Sequence, residues 1–265
     1  DGFFAVTHAE IPDTREEPCA KPPTGGAGLI DQVAALRVEQ GNKWSKRELK
    51  DMKARLDPKV DVAVGALLDE AGLALCRVRA AFRDISEESE AELLDVLDAM
   101  LRGGDEDPDS EAEGFKRFET LTAAWDATDQ AALLFAARAW LDAVSAAAVD
   151  LAAVPEAGWP ESPMILDTPL GEVWLGSMGS NSGSGDPVLI VDPGGDDRWR
   201  IATSRDRLAD TATRDVRGWI DLGGDDTWLS GDVGAGGALM GISAGIDLAG
   251  DDIYRAGRLS QGAAA

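Results

Sequence analysis

Histidine, cysteine and positive charge are all scarce in this chain. His8 is the single imidazole among 265 residues, which excludes any metal site built on several histidines. At most one Ser-His-Asp or Cys-His arrangement remains, and it would need His8. A lone imidazole in an irregular segment reads most simply as a surface residue. Two cysteines, Cys19 and Cys76, with so little histidine argue against zinc. They leave two readings open. One is a bridge in an exported protein, worth roughly 4 kcal/mol by loop closure; the other is two free thiols in a reducing compartment. No apolar run reaches the roughly 18 residues of a membrane span. Lys and Arg number 25 against 49 Asp and Glu, a formal net charge of −24. Such a surface repels phosphate backbones and anionic lipid, so nucleic acid and membrane surfaces are poor partners, and cations are favoured. A solvated acidic surface suited to a salty habitat explains the bulk charge equally well.

The residues that are present fall into two unlike halves, an α+β pattern. The chain starts at Asp1, which suggests a removed signal peptide or a trimmed end. Residues 1–26 read as irregular, broken by Pro12, Pro18, Pro22 and Pro23, with Phe3 and Phe4 free to dock on the body. Residues 27–154 read as a helical domain. Ser45 and Glu48 form a capping box, and Asp57-Pro58 is an N-cap with proline at the first helical position. Val60, Val64, Leu67, Leu68, Ala71, Leu75, Val78 and Phe82 keep helical periodicity. Further helices begin at Ser86 and Asp129, the first stopped by Gly103-Gly104, with Asp105 to Glu113 as an acidic loop. Phe115, Phe118, Leu121 and Trp125 form another apolar stripe, read with the other Trp and Met residues as core. No inward carboxylate set of a di-iron bundle is present. A linker, 155–163, precedes residues 164–265, and the helices are expected to cap the N-terminal end of that last segment.

Residues 164–265 repeat themselves. In register stand Leu-Asp-Thr-Pro-Leu-Gly-Glu-Val-Trp (166–174), Val-Asp-Pro-Gly-Gly-Asp-Asp-Arg-Trp (191–199), Ile-Asp-Leu-Gly-Gly-Asp-Asp-Thr-Trp (220–228) and Ile-Asp-Leu-Ala-Gly-Asp-Asp-Ile-Tyr (246–254). The leading residues Asp167, Asp192, Asp221 and Asp247 are 25, 29 and 26 residues apart. That period predicts a parallel β-solenoid of about four turns, each opened by a short β run ending near 166, 191, 220 and 246. Trp174, Trp199, Trp228 and Tyr254 would form one column, buried by default, or exposed as a sugar-stacking platform.

The aspartates carry the chemistry. Asp196/Asp197, Asp225/Asp226 and Asp251/Asp252, with leading Asp192, Asp221 and Asp247, would form columns of like charge one strand spacing apart. At roughly 4.8 Å, neighbours repel by about 3 kcal/mol at an effective dielectric of about 20. Backbone N–H groups in the glycine turns are one remedy. Calcium, which takes roughly six to eight oxygens, is a fuller one. The first unit has Gly171 and Glu172 where the pair should be, so an ion ladder would begin at the second. Gly194-Gly195-Asp196-Asp197-Arg198-Trp199 and Gly223-Gly224-Asp225-Asp226-Thr227-Trp228 resemble the Gly/Asp-rich calcium-binding solenoid repeats of the RTX type. That resemblance covers about a third of the chain. It implies calcium held between turns of an exported protein, with Asp196, Asp197, Asp225, Asp226, Asp251 and Asp252 as ligands; the like-charge columns add the leading Asp192, Asp221 and Asp247.

Two functions are expected from these residues. The first is an extracellular or periplasmic calcium-binding solenoid acting as scaffold, adhesin or partner-binding module. The alternative is a β-helix enzyme cutting polysaccharide with paired carboxylates, against which repetition argues, because an active site needs one pair made unlike the rest. The last unit stops in Gln261-Gly262-Ala263-Ala264-Ala265 without a return strand. This predicts that the rest of a longer precursor, or another subunit, covers that edge.

Overall fold

The computed structural model describes Cys19 and residues 26–102, 111–201, 216–232, 238 and 240–257. The rest of the N-terminal segment with Phe3, Phe4 and His8, the acidic stretch 103–110 and the terminal residues 258–265 lie outside the described residues. Within them the chain is mixed α/β, with six α-helices ahead of nine strands in two sheets.

Local side-chain chemistry starts the helices. Leu29–Glu39 (α1) is followed by Lys46–Lys53 (α2), whose Ser45–Glu48 capping box is formed in both directions. Pro58–Ala81 (α3) is capped by Asp57, whose carboxylate accepts the Lys59 N–H at 2.7 Å. Glu87–Arg102 (α4) starts behind Ser86, whose hydroxyl accepts the Ser89 N–H. Glu111–Ala127 (α5) absorbs the end of the expected acidic loop. Gln130–Ala152 (α6) is capped by Asp129. Cys19 is bridged to Cys76 of α3.

Strands Met164–Thr168 (β1) and Gly171–Leu175 (β2) come first, then Ser182–Gly185 (β3), Leu189–Asp192 (β4), Arg198–Ile201 (β5) and Val216–Asp221 (β6). Thr227–Ser230 (β7), Ile242–Asp247 (β8) and Ile253–Arg255 (β9) complete the set. One sheet has the order β1-β2-β4-β6-β8, the other β3-β5-β7-β9. All pairings are parallel except β1 with β2. From β3 onward the chain therefore alternates between sheets, and each visit adds a strand to the growing edge.

Both faces of the five-stranded sheet are covered. One row (Leu175, Val191, Ile220) and its neighbour (Val173, Leu189, Ala244) join the helices in a single hydrophobic core. The opposite row (Trp174, Ile190, Trp219) meets Trp199 and Trp228 from the four-stranded sheet in a second, aromatic core. Trp140 of α6 locks the layers together. Its indole N–H donates to the Arg217 carbonyl at 2.7 Å, and Gly218 leaves the space, since a Cβ there would sit 2.6 Å from the ring.

Three expectations need correction. The helices do not sit on the first-strand end alone. α1 lies against β1, but α6 crosses β6 and β8, because the apolar face of the sheet is what needs cover. Phe115, Phe118 and Trp125 are not core: they are 69%, 67% and 61% exposed on α5, where only the Leu121 side of the stripe finds partners. Finally, α6 does have the length and apolar composition of a membrane span, although its Trp140, Val144 and Leu151 are buried in the fold.

Candidate metal centre

The site is built in the turns that carry the chain from the first sheet to the second. Val191 pairs with Ile220 and Ile220 with Ile246, while Trp199 pairs with Trp228 and Trp228 with Tyr254, so the turns between are stacked in register. Glycine makes the stacking possible. Gly224 has φ +129°, and a Cβ there would overlap the Gly195 carbonyl oxygen of the neighbouring turn.

The first unit is not where the motif places it. Asp167 is exposed on β1, whose partner is the antiparallel β2, and Trp174 pairs in the five-stranded sheet with Ile190. The stacked equivalent of Val191-to-Trp199 is Leu175-to-Gly183, since Leu175 pairs with Val191 and Gly183 with Trp199. Gly176 thus stands opposite Asp192 and Asn181 opposite Asp197. Gly183 leaves the aromatic position blank, and Trp174 fills it from the other sheet, its ring 5.8 Å from Trp199. The column continues through Trp228 at 6.1 Å and Tyr254 at 6.3 Å. Trp174, Trp199 and Trp228 are at most 2% exposed, so this column is no sugar-stacking platform.

The aspartates separate into an inner and an outer set. Asp196, Asp225 and Asp251 form the outer set; Asp225 and Asp251 each donate a backbone N–H to the outer carboxylate one turn before. The inner residues Asp192, Asp197, Asp221 and Asp226 are 0–3% exposed. With half-buried Asp252 they make two groups, Asp192/Asp197/Asp226 and Asp221/Asp226/Asp252, in each of which one carboxylate oxygen per residue lies within 4.8 Å of the others. Asp226 belongs to both. These buried clusters could hold a metal ion. Exposed Asp247 accepts the Tyr254 hydroxyl at 2.9 Å.

The inner carboxylates are linked in the opposite direction to the outer ones. Asp197 accepts the Asn181 backbone N–H, Asp226 accepts that of Asp197 at 2.6 Å, and Asp252 accepts that of Asp226 at 2.7 Å. Among the described residues no Lys or Arg forms an ion pair with any of these carboxylates. Burial dominates the titration of Asp192, Asp221, Asp226 and Asp252. It pushes Asp192 up to about 10, helped by the Asp197 carboxyl beside it. In the same way it pushes Asp221 up to about 8 beside Asp226, and Asp252 up to about 6. Asp226 is raised as well, by burial first. Tyr254 is held well above the ordinary phenol range by burial and then by Asp247.

Three side chains at this site carry no motif signal. Asn181 replaces an aspartate and holds Asp197 from both its backbone and its amide. Ser177 orients Asn181 by donating to its Oδ1 at 2.7 Å. Trp219 packs against Trp228 and Tyr254, with ring centroids 5.1 and 5.7 Å away. Gly179 and Asn181, spaced like Gly195 and Asp197, are the one hint the sequence offers. Comparison with known protein families, curated proteins and solved structures finds no match for this chain.

Proposed function

We propose that the two sheets are successive turns of a β-solenoid, and that the chain is an exported, calcium-stiffened, non-catalytic module presenting a rigid surface to a partner. One observation carries the reading. Oδ2 of Asp221, Asp226 and Asp252 is buried in each case with no N–H donating to it, so the cluster either keeps a proton between Asp221 and Asp226 or takes a cation. A buried carboxylate oxygen left unsatisfied costs about 1–3 kcal/mol or more. A hard divalent cation with oxygen preference removes that cost for all three at once. The Cys19–Cys76 bridge supports an oxidising compartment. The near-complete burial of Asp192 and Asp221 weighs against the polysaccharide-cutting alternative, because a catalytic carboxyl must reach its glycosidic oxygen. The partner surface that fits this reading is the edge formed by β8 and β9. Among the described residues these end their sheets, and such edges offer backbone groups to an added strand.

The test is thermal unfolding with calcium and after chelation. At calcium about 100 times above its dissociation constant the fold should gain about 2.7 kcal/mol, a melting shift of roughly 5–10 °C for a chain of this size. An unchanged melting temperature would refute the reading.

A further inference from the structure

The two carboxylate clusters share Asp226 but differ in how their oxygens are occupied. Around Asp192 and Asp197 every oxygen already accepts an N–H. Asp192 Oδ1 takes the Gly194 backbone at 3.2 Å, and Oδ2 takes the Trp199 indole at 2.6 Å. Asp197 Oδ1 takes the Asn181 backbone at 2.5 Å, and Oδ2 takes the Asn181 amide at 2.8 Å. Four positive dipole ends converge there. They face the oxygens that a cation would need and repel it from the same space.

The other cluster has a different pattern. Asp221, Asp226 and Asp252 each use Oδ1 for one backbone N–H, from Gly223, Asp197 and Asp226 respectively. Each keeps Oδ2 free of any N–H donor. The donor that could have closed the set is also withheld. Trp199 and Tyr254 both donate to the leading aspartate of their own unit, yet Trp228, at the same register, leaves its buried indole N–H unpartnered. Asp252 is only half-buried and gives this cluster its solvent side.

We infer that the chain binds one divalent cation, not a ladder of them, at Asp221, Asp226 and Asp252, and that the Asp192/Asp197 pair is a donor-filled brace that takes no ion. The inference rests on the cation-binding reading above. It predicts a sharp difference between two aspartates that occupy equivalent positions in the motif. Replacing Asp221 removes a free oxygen and a ligand charge from the site. Replacing Asp192 changes a carboxylate whose oxygens are already occupied by N–H groups.

Calorimetric titration of the intact, chelator-stripped chain with calcium chloride tests this, with circular dichroism to confirm folding of each variant. One ion per chain is expected. Asp221→Asn should weaken binding by at least about tenfold, and Asp192→Asn should leave it within about twofold. If Asp221→Asn fails to fold, Asp252→Asn on the solvent side must give the same loss. Two ions per chain, or equal losses in Asp192→Asn and Asp221→Asn, would overturn the inference while leaving the cation-binding reading intact. No binding by the parent chain would overturn both.

Discussion

Stripped of cations, this protein should become less stable as pH rises from 5 to 8. The cause is the buried inner carboxyls. Asp221 titrates near 8 in the fold against 3.8 when free, so between those values the folded chain holds a proton that the unfolded chain has released. Stability then falls with pH, because its slope tracks protons bound unfolded minus protons bound folded. The contribution is fully present below about 3.8 and is lost as pH climbs toward 8. One group in its window changes stability by about 1.4 kcal/mol per pH unit, so Asp221 alone accounts for about 4 kcal/mol between pH 5 and 8. Asp252 adds to the slope only up to about pH 6, while Asp192 extends it beyond pH 8. Urea unfolding monitored by tryptophan fluorescence would read this, in enough salt to screen the acidic surface. Asp221→Asn should flatten the profile by about its own share, and saturating calcium should do the same by replacing the proton. A chelated parent whose stability is level or rising from pH 5 to 8 would refute the argument, as would an equal slope in Asp221→Asn.

Two further outcomes are expected from packing and covalent structure. Replacing both Cys19 and Cys76 with alanine opens a crosslink spanning 57 residues and should cost roughly 4 kcal/mol in urea unfolding; a loss under about 1 kcal/mol would contradict the loop-closure account. Gly245→Ala drives a methyl into the Trp219 indole and should cost about 1–3 kcal/mol, whereas adding Trp219→Leu should recover part of that loss. A double variant no more stable than Gly245→Ala would show that the clash is not the cause.

The chemistry legible in the sequence is the chemistry that acts over a few residues. The Ser45–Glu48 box, the Asp57-Pro58 start and the Asp129 cap each join a side chain to backbone within four positions, so the local order of residues suffices. The strands ending near 191, 220 and 246 stand out because their turns need glycine. The first unit misleads because Asp167 and Trp174 match the motif by composition alone. Thr168 instead accepts the Leu170 N–H and donates to the Gly171 carbonyl at 2.6 Å, closing a hairpin. Asn181 escapes notice because an uncharged amide stands at the aspartate position, donating to Asp197 where a carboxylate could only accept. Trp219 cannot be placed from the pattern because both faces of its sheet are covered, and alternation then says nothing about which core a residue enters. Helical periodicity likewise puts Phe115, Phe118 and Trp125 on one face without saying that nothing packs there.

The hydrogen bonds that the inner carboxylates accept have a consequence for how the chain acquires its shape during synthesis. Asn181, Asp197 and Asp226 each offer a backbone N–H to a carboxylate that lies later in the sequence, on Asp197, Asp226 and Asp252. A ribosome delivers the donor first and the acceptor 16, 29 or 26 residues afterwards. Each of these turns therefore leaves the ribosome with an unanswered N–H and is closed only when its successor emerges. The outer aspartates work the other way: Asp225 and Asp251 donate to carboxylates already made, so each new turn docks through its outer aspartate as it closes the previous turn through its inner one.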